Sequence, residues 1–258
     1  MIGFNDILII FSLCIPRLIG AMLLIPVFSK KLLGGTTIRN SLAACLALPL
    51  LPYVINVYDE INSGFILIAI ILKEIFIGLL IGFITAIPFQ AMESMGCLID
   101  NQRGAAMAID YNPFSSEQTS PLGVLFNQVS ITIFFSFGFF LIWLGAMYHS
   151  FLLWPIVQVS IYLPDISIIN LYQLLEYILE IALRLAAPAI IIMFLAEFGL
   201  GLMNRFVPQM NVFILAMPIK SGIAILILLL YINLSFKIFI GEMLVFIEFT
   251  DWLHRFIG

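Results

Sequence analysis

A chain of 258 residues that is 63% hydrophobic and only 10% charged does not have the composition of a soluble domain, because soluble domains are about 45–50% apolar and about 25% charged. A soluble fold of this length has too little interior to hide so much apolar surface, so the composition predicts an integral membrane protein. The formal net charge is −4, and Lys30-Lys31 is the only adjacent basic pair. The lack of a basic cluster excludes nucleic-acid binding, which needs a clustered basic face.

The sequence predicts neither a metal site nor a catalytic site. The three cysteines, Cys14, Cys45 and Cys97, lie in apolar stretches without a C-x-x-C pattern, as small buried hydrophobic residues do. Only His149 and His254 could add further zinc ligands. The acidic residues are scattered, and no G-x-x-x-x-G-K-[ST] loop is present to bind nucleotide phosphates. We therefore expect no cofactor and no enzymatic activity.

Six apolar runs predict an all-α membrane fold that occupies the whole chain, residues 1–258, as one domain. Each run is close to the roughly 20 residues that a helix needs to cross the hydrocarbon core. In chain order the runs are Ile7–Phe28, Ser41–Val57, Phe65–Met92, Leu122–Met147, Tyr177–Met203 and Val212–Leu234. Two further apolar stretches, Phe151–Leu163 and Phe236–Phe249, are too short for a confident span. The second is expected to be an interfacial helix or half of a hairpin.

Charged residues and prolines interrupt nearly every run. The charged residues are Arg17, Lys73, Glu74, Arg184, Glu197 and Lys220, and the prolines are Pro16, Pro26, Pro49, Pro88, Pro188 and Pro218. A charge at the bilayer centre costs about 2.5–3.5 kcal/mol, and a proline kinks or breaks a helix. We expect kinked hairpins that pack in a larger assembly or line a water-filled path. Snorkelling is an adequate alternative for Lys220 and Arg205 but not for Arg17 or Arg184, which lie deeper in their runs.

A polar segment follows the third run and contains the first group of candidate functional residues. It begins with Asp100, Asn101, Gln102, Arg103 and Gly104. Asp100 and Arg103 are three residues apart and can pair on one helix face, and Gly104 permits a turn. The stretch that follows, with Asn112 and Pro113, is polar and punctuated by proline, which predicts a loop. The loop is either functional or an ordinary exposed connection.

The second group of candidates lies in a predicted helical hairpin. Glu197, Asn204 and Arg205 share one helical stripe with Gly201. Pro208 is expected to end this helix. The remaining candidates lie at the tip and at the start of the next run, and they are Gln209, Asn211 and Lys220. The alternative interpretation is solvated polarity at a membrane face.

Several motifs resemble the FliR/SpaR family of type III export-apparatus membrane proteins. They are Ile99–Ala105 (IDNQRGA), Glu197–Asn211 (EFGLGLMNRFVPQMN), Met217–Ser221 (MPIKS), and the N-terminal Pro16-Arg17, Pro26 and Leu33-Gly-Gly…Arg39-Asn40 pattern. The resemblance covers essentially the whole chain. The Asp-Asn-Gln-Arg-Gly form is more similar to the virulence branch (SpaR/YscT-like, SctT) than to the flagellar branch.

The resemblance implies a part of a protein-export gate in the bacterial inner membrane that passes unfolded protein substrates. It implies a single copy in a complex with R-type and S-type membrane subunits, with the U-type switch protein and membrane lipid as further partners. It also implies that Ala105–Ser120 is a plug-like loop, and that Glu197, Asn204 and Arg205 act in subunit packing or at the entrance.

A small-solute secondary transporter is the alternative function, because such proteins also use broken helices and charges near the membrane midplane. A transporter would move its solute without other subunits and would show inverted-repeat symmetry. The sequence contains no convincing repeat.

Overall fold

The computed structural model describes residues 4–55, 64–104, 120–156, 168–206 and 212–257, and the regular elements in these ranges are helices. In chain order they are α1 (Phe4–Leu24), α2 (Lys30–Leu33), α3 (Thr36–Ala47), α4 (Leu51–Ile55), α5 (Gly64–Arg103), α6 (Pro121–Ser136), α7 (Phe139–Leu153), α8 (Ile168–Phe206) and α9 (Val212–Ile257). Short 3₁₀ turns at Pro26–Phe28 and Leu48–Leu50 precede α2 and α4. The prediction of an all-α fold is confirmed.

Three of the described helices are long and apolar enough to cross a membrane, over Ile66–Arg103, Glu176–Met203 and Leu215–Leu244. The helices α5, α8 and α9 contain 40, 39 and 46 residues. At about 1.5 Å per residue each is about 60–70 Å long, roughly twice the 30 Å hydrocarbon core. The α6–α7 pair would be a fourth span if counted as one, although it is bent by 74°.

Several apolar runs differ in detail from the prediction. The run Ser41–Val57 does not form one helix, because the 3₁₀ turn around Pro49 separates α3 from the five-residue α4. Proline lacks the N–H that would continue the helical hydrogen bonding. The stretch Phe236–Phe249 is not a separate element, because it continues α9 without a break.

Most of the prolines in the apolar runs do not interrupt the helices. Pro16, Pro88, Pro188 and Pro218 lie inside α1, α5, α8 and α9. The break between α6 and α7 occurs instead at Gly138, whose φ of 75° is left-handed, a conformation that glycine adopts without steric cost.

The chain divides into two compact units. The first contains Met1–Ile87, Ile133–Ser167 and Met243–Gly258, and the second contains Pro88–Thr132 and Ile168–Glu242.

In the first unit, a close crossing of α1 and α5 depends on glycine. A Cβ atom on Gly78 would overlap the carbonyl oxygen of Arg17, and one on Gly82 would overlap that of Ala21. The G-x-x-x-G motif therefore brings two helix backbones together, as such motifs do in membranes. An aromatic cluster also packs in this unit, with ring centroids 5.3 Å apart for Phe28 and Trp143.

In the second unit, side chains from α5, α8 and α9 pack together. The rings of Phe89 and Phe239 meet edge to face at 5.5 Å. The Tyr231 hydroxyl of α9 donates a hydrogen bond to the Leu185 carbonyl of α8 at 2.9 Å, which gives its polar tip a partner inside an otherwise apolar contact.

Candidate functional site

The C-terminal end of α5 is organised by the carboxylate of Asp100, whose side chain is only 3% exposed. Arg103 donates to it from Nε at 2.7 Å and from Nη2 at 2.6 Å. This confirms the pairing predicted from the three-residue spacing. Immediately after α5, Gly104 has a φ of 82°, and its N–H donates to the Asn101 carbonyl. The predicted turn at Gly104 is therefore present, in the left-handed conformation that often ends helices.

The same carboxylate also holds the N-terminus of α6. The Ser120 hydroxyl donates a hydrogen bond to Asp100 Oδ2, and the Leu122 N–H donates to the same oxygen at 2.8 Å. Ser120 Oγ in turn accepts from the Gly123 N–H at 2.9 Å. A serine before a proline at the first helical position is a common helix start. A carboxylate at this end is also favoured by the helix dipole.

The α5 and α6 backbones touch just beyond this carboxylate. A Cβ atom built on Gly96 would lie 2.5 Å from the Gly123 nitrogen, so this approach requires glycine at residue 96. One helical turn away, Asn127 Nδ2 donates to a Glu93 carboxylate oxygen at 2.7 Å. We call Glu93, Gly96, Asp100, Ser120 and Gly123 the loop-base cluster. It joins the last turns of α5 to Ser120, the residue that follows the segment 105–119. That segment lies outside the described residues.

Lys220 connects the predicted hairpin to the end of α5. Its Nζ lies 2.5 Å from a Glu197 carboxylate oxygen and donates a longer hydrogen bond, 3.4 Å, to the Gln102 carbonyl. The lysine side chain is 11% exposed, whereas that of Glu197 is 49% exposed. The pair therefore links α8 with α9. A cation near the last carbonyls of α5 is also favoured by the helix dipole.

The structure brings together part of the predicted site. Asp100, Gln102, Arg103, Gly104, Glu197 and Lys220 make the contacts described above. Asn101 and Arg205 are exposed, and Asn204 lies in α8 with its side chain outside the described part. The other predicted positions lie outside the described residues, and they are Asn112, Pro113, Pro208, Gln209 and Asn211.

The sequence analysis gave no individual role to four members of the loop-base cluster: Glu93, Gly96, Ser120 and Gly123. Ser120-Pro121 is a recognisable helix-start signal and could have placed α6. The contact between Gly96 and Gly123 has no local signal, because isolated glycines are common and their partners lie 27 residues away in sequence.

A second polar cluster lies in the first unit, around Arg17 of α1. Arg17 and Glu74 of α5 are fully buried, and Arg17 Nε lies 2.6 Å from Glu74 Oε2. Arg17 also donates to the Ser150 hydroxyl at 2.9 Å, and its guanidinium lies 3.9 Å from the centre of the Phe151 ring. This arrangement explains how an arginine can lie deep in an apolar run, because a buried charge needs a partner and hydrogen bonds.

Lys73 completes this cluster and holds the end of α7. Its Nζ lies 2.8 Å from Glu74 Oε1 and donates to the carbonyls of Pro155 and Ile156 at 2.8 and 3.1 Å. Arg17 likewise donates to the carbonyl of Trp154 at 2.9 Å. Two cations thus bind the carbonyls that follow α7, at the end where the helix dipole is negative. Both polar clusters fix helix ends.

Comparison with known proteins gives one consistent family. Residues 8–245 match the family model described as bacterial export proteins, family 1. Yop proteins translocation protein T of Yersinia pestis is 50% identical over 87% of this chain and 86% of its own length. Secretion system apparatus protein SsaT of Salmonella typhimurium is 33% identical over 88% of each chain. The flagellar biosynthetic protein FliR of Bacillus subtilis is 26% identical over 69% of each chain. The chain belongs to the bacterial export proteins, family 1.

Proposed function

We propose that this chain is a membrane subunit of the export gate of a type III secretion system of the injectisome kind. The chain resides in the bacterial inner membrane, and unfolded protein substrates pass through the gate. The secretion-system relatives, at 50% and 33% identity, are more similar than the flagellar relative at 26%. This difference favours the injectisome branch. The role is structural and non-enzymatic, since the two polar clusters position helices.

The observation that carries a gating role is the loop-base cluster. It ties the C-terminal end of α5 to the N-terminal end of α6 through one nearly buried carboxylate. A segment whose two ends are fixed at one point loses less entropy when it adopts a single resting position. The loop Ala105–Ser120 therefore has the anchorage that a plug requires. We propose that it obstructs the resting channel.

The partners follow from the same proposal. The chain works in a hetero-oligomer with R-type and S-type subunits and near the U-type switch protein, with exported proteins in transit and with lipid around the assembly. A multi-subunit complex is supported by the relatives, which are named as parts of translocation and secretion machinery.

Shortening the loop tests the plug. A variant that lacks residues 108–117 keeps Gly104 and Ser120, so the loop-base cluster remains intact. In cells that carry the assembled complex, this variant should raise leakage of ions and small solutes. A variant in which the same ten residues are replaced by a glycine-serine stretch of equal length is the matched control for loop length. Unchanged leakage in the shortened variant, with normal assembly, would contradict the plug.

A further inference from the structure

One face of α9 lies against the last turn of α5, beside the point where the segment 105–119 begins. A Cβ atom built on Gly104 would lie 3.7 Å from two side-chain atoms of Met217, so Met217 packs against this glycine. Lys220 lies three residues further along α9, on the same helical face, and its Nζ donates to the Gln102 carbonyl. All four residues belong to the second compact unit. The start of α9 therefore covers the end of α5 from which the loop leaves.

The two contacts of the Lys220 ammonium differ in strength. Nζ lies 2.5 Å from the Glu197 carboxylate, whereas its 3.4 Å contact with the Gln102 carbonyl is long for a hydrogen bond. The lysine is nearly buried, and a buried ammonium needs a carboxylate partner. That carboxylate is half exposed, so Glu197 can turn into water. Without Glu197, the ammonium would keep only the long carbonyl contact among the described residues, which disfavours its position over α5.

The α8–α9 hairpin is weakened on both helices next to this ion pair. Pro218, two residues before the lysine, lies inside α9 and has no N–H to bond the carbonyl four residues earlier. On α8, Gly199 and Gly201 follow Glu197, and a Cβ atom on either glycine would meet nothing within 4 Å. Glycine inside a helix destabilises that helix relative to alanine. Both helices can therefore bend close to the ion pair that joins them.

We propose that Lys220 is a positioning residue for the plug loop. While Lys220 pairs with Glu197, it holds the last turn of α5 in the resting arrangement, and separation of the pair releases that turn. The loop base is then fixed from two sides, because Asp100 attaches it to α6 and Lys220 attaches it to α8 and α9. A movement of the hairpin reaches the loop through this ion pair. This inference rests on the proposed function.

Glu197→Gln tests the pair in cells that carry the assembled complex, because the substitution removes the charge at a half-exposed position and keeps the shape of the side chain. Leakage of ions and small solutes should rise about tenfold, the effect of about 1.4 kcal/mol. Glu180→Gln is the matched control, because Glu180 also forms an ion pair on α8, with Arg184 at 2.6 Å, and that pair is exposed. Equal leakage in the two variants, with normal assembly, would overturn the positioning role.

Hydrogen exchange in the purified complex tests the same contact directly. The Gly104 N–H donates to the Asn101 carbonyl in the last turn of α5. Its exchange should be about tenfold faster in Glu197→Gln, again the effect of about 1.4 kcal/mol, and unchanged in Glu180→Gln. An unchanged rate in Glu197→Gln would show that the last turn of α5 does not depend on the ion pair, and the proposal would fail.

Combination with the shortened loop separates a positioning role from a general structural one. In the variant that lacks residues 108–117, Glu197→Gln should add no further leakage, because a positioning residue acts only through the loop. Additive leakage would mean that the pair seals the membrane by another route and would refute the positioning role. If the shortened variant leaks and Glu197→Gln alone does not, only the positioning role fails. If neither variant leaks, the plug itself fails as well.

A charge exchange tests whether the contact with α5 matters. The double variant E197K/K220E keeps an ion pair between α8 and α9, but it places a carboxylate, which has no N–H, opposite the Gln102 carbonyl. This variant should leak as much as Glu197→Gln, whereas Lys220→Arg keeps a cationic donor and should leak no more than the unmodified chain. Leakage at the unmodified level in the double variant would show that the pair only joins α8 to α9, which contradicts the proposal.

Discussion

The loop-base cluster makes Asp100→Asn the most informative substitution. The asparagine has nearly the same shape, but it carries no charge and replaces one acceptor oxygen with an NH₂ group that faces donors. The native carboxylate accepts bonds from Arg103, Ser120 and the Leu122 N–H. A hydrogen bond to a charged group contributes about 1.5–3 kcal/mol, and the favourable interaction with the α6 dipole about 0.3–1 kcal/mol. We expect the substitution to destabilise the closed loop base by about 2–4 kcal/mol.

This change in free energy can be measured as hydrogen exchange at the start of α6. Each 1.4 kcal/mol is a factor of ten, so amides in the first turn of α6 should exchange about 30- to 1,000-fold faster in Asp100→Asn. Their hydrogen bonds, from the N–H groups of Leu122, Gly123 and Val124, all end at Asp100 or Ser120. The matched control is Asn101→Ala, because Asn101 is exposed on the same turn of α5. Exchange at the unmodified rate in Asp100→Asn would refute the loop-base cluster as an anchor.

Two further substitutions test the packing around the polar clusters. Gly96→Ala should destabilise the α5–α6 contact by about 1–3 kcal/mol through overpacking and lower the unfolding temperature. Gly145→Ala is the control, because a Cβ there meets nothing within 4 Å, and it should leave the unfolding temperature unchanged or raise it. Equal effects at the two sites would contradict the close approach of α5 and α6. Glu74→Gln should cost about 3–5 kcal/mol, because it leaves two buried cations without their carboxylate, and should sharply reduce the amount of folded protein in the membrane. Glu176→Gln is the exposed control, and equal amounts of both variants would rule out the buried ion cluster as a stabilising element.

The sequence predicted the features that depend on residues close together along the chain. Asp100 and Arg103 are one helical turn apart, so their pairing follows from helical spacing alone. Gly104 after a polar helix end likewise indicates a left-handed turn, and the structure has one. The apolar runs identified the long helices, because about 20 consecutive apolar residues are rare outside membranes.

Contacts between distant parts of the chain could not be predicted in this way. Arg17 and Glu74 are 57 residues apart, and nothing local indicates that one buried charge neutralises the other. The sequence therefore could not distinguish Arg17, which is satisfied within the chain, from Arg184, which is exposed. Breaks in helices were also misplaced, because a proline inside a long helix can be tolerated when neighbouring groups satisfy the freed carbonyl.

Native mass spectrometry of the purified complex tests the central claim most directly. The chain would carry a C-terminal tag, be co-expressed with the R-type and S-type subunits proposed as its partners, and be extracted in a mild detergent. The export-gate account predicts a stable hetero-oligomer that contains a single copy of this chain. A monomer or a homodimer alone would contradict it and would favour the small-solute transporter.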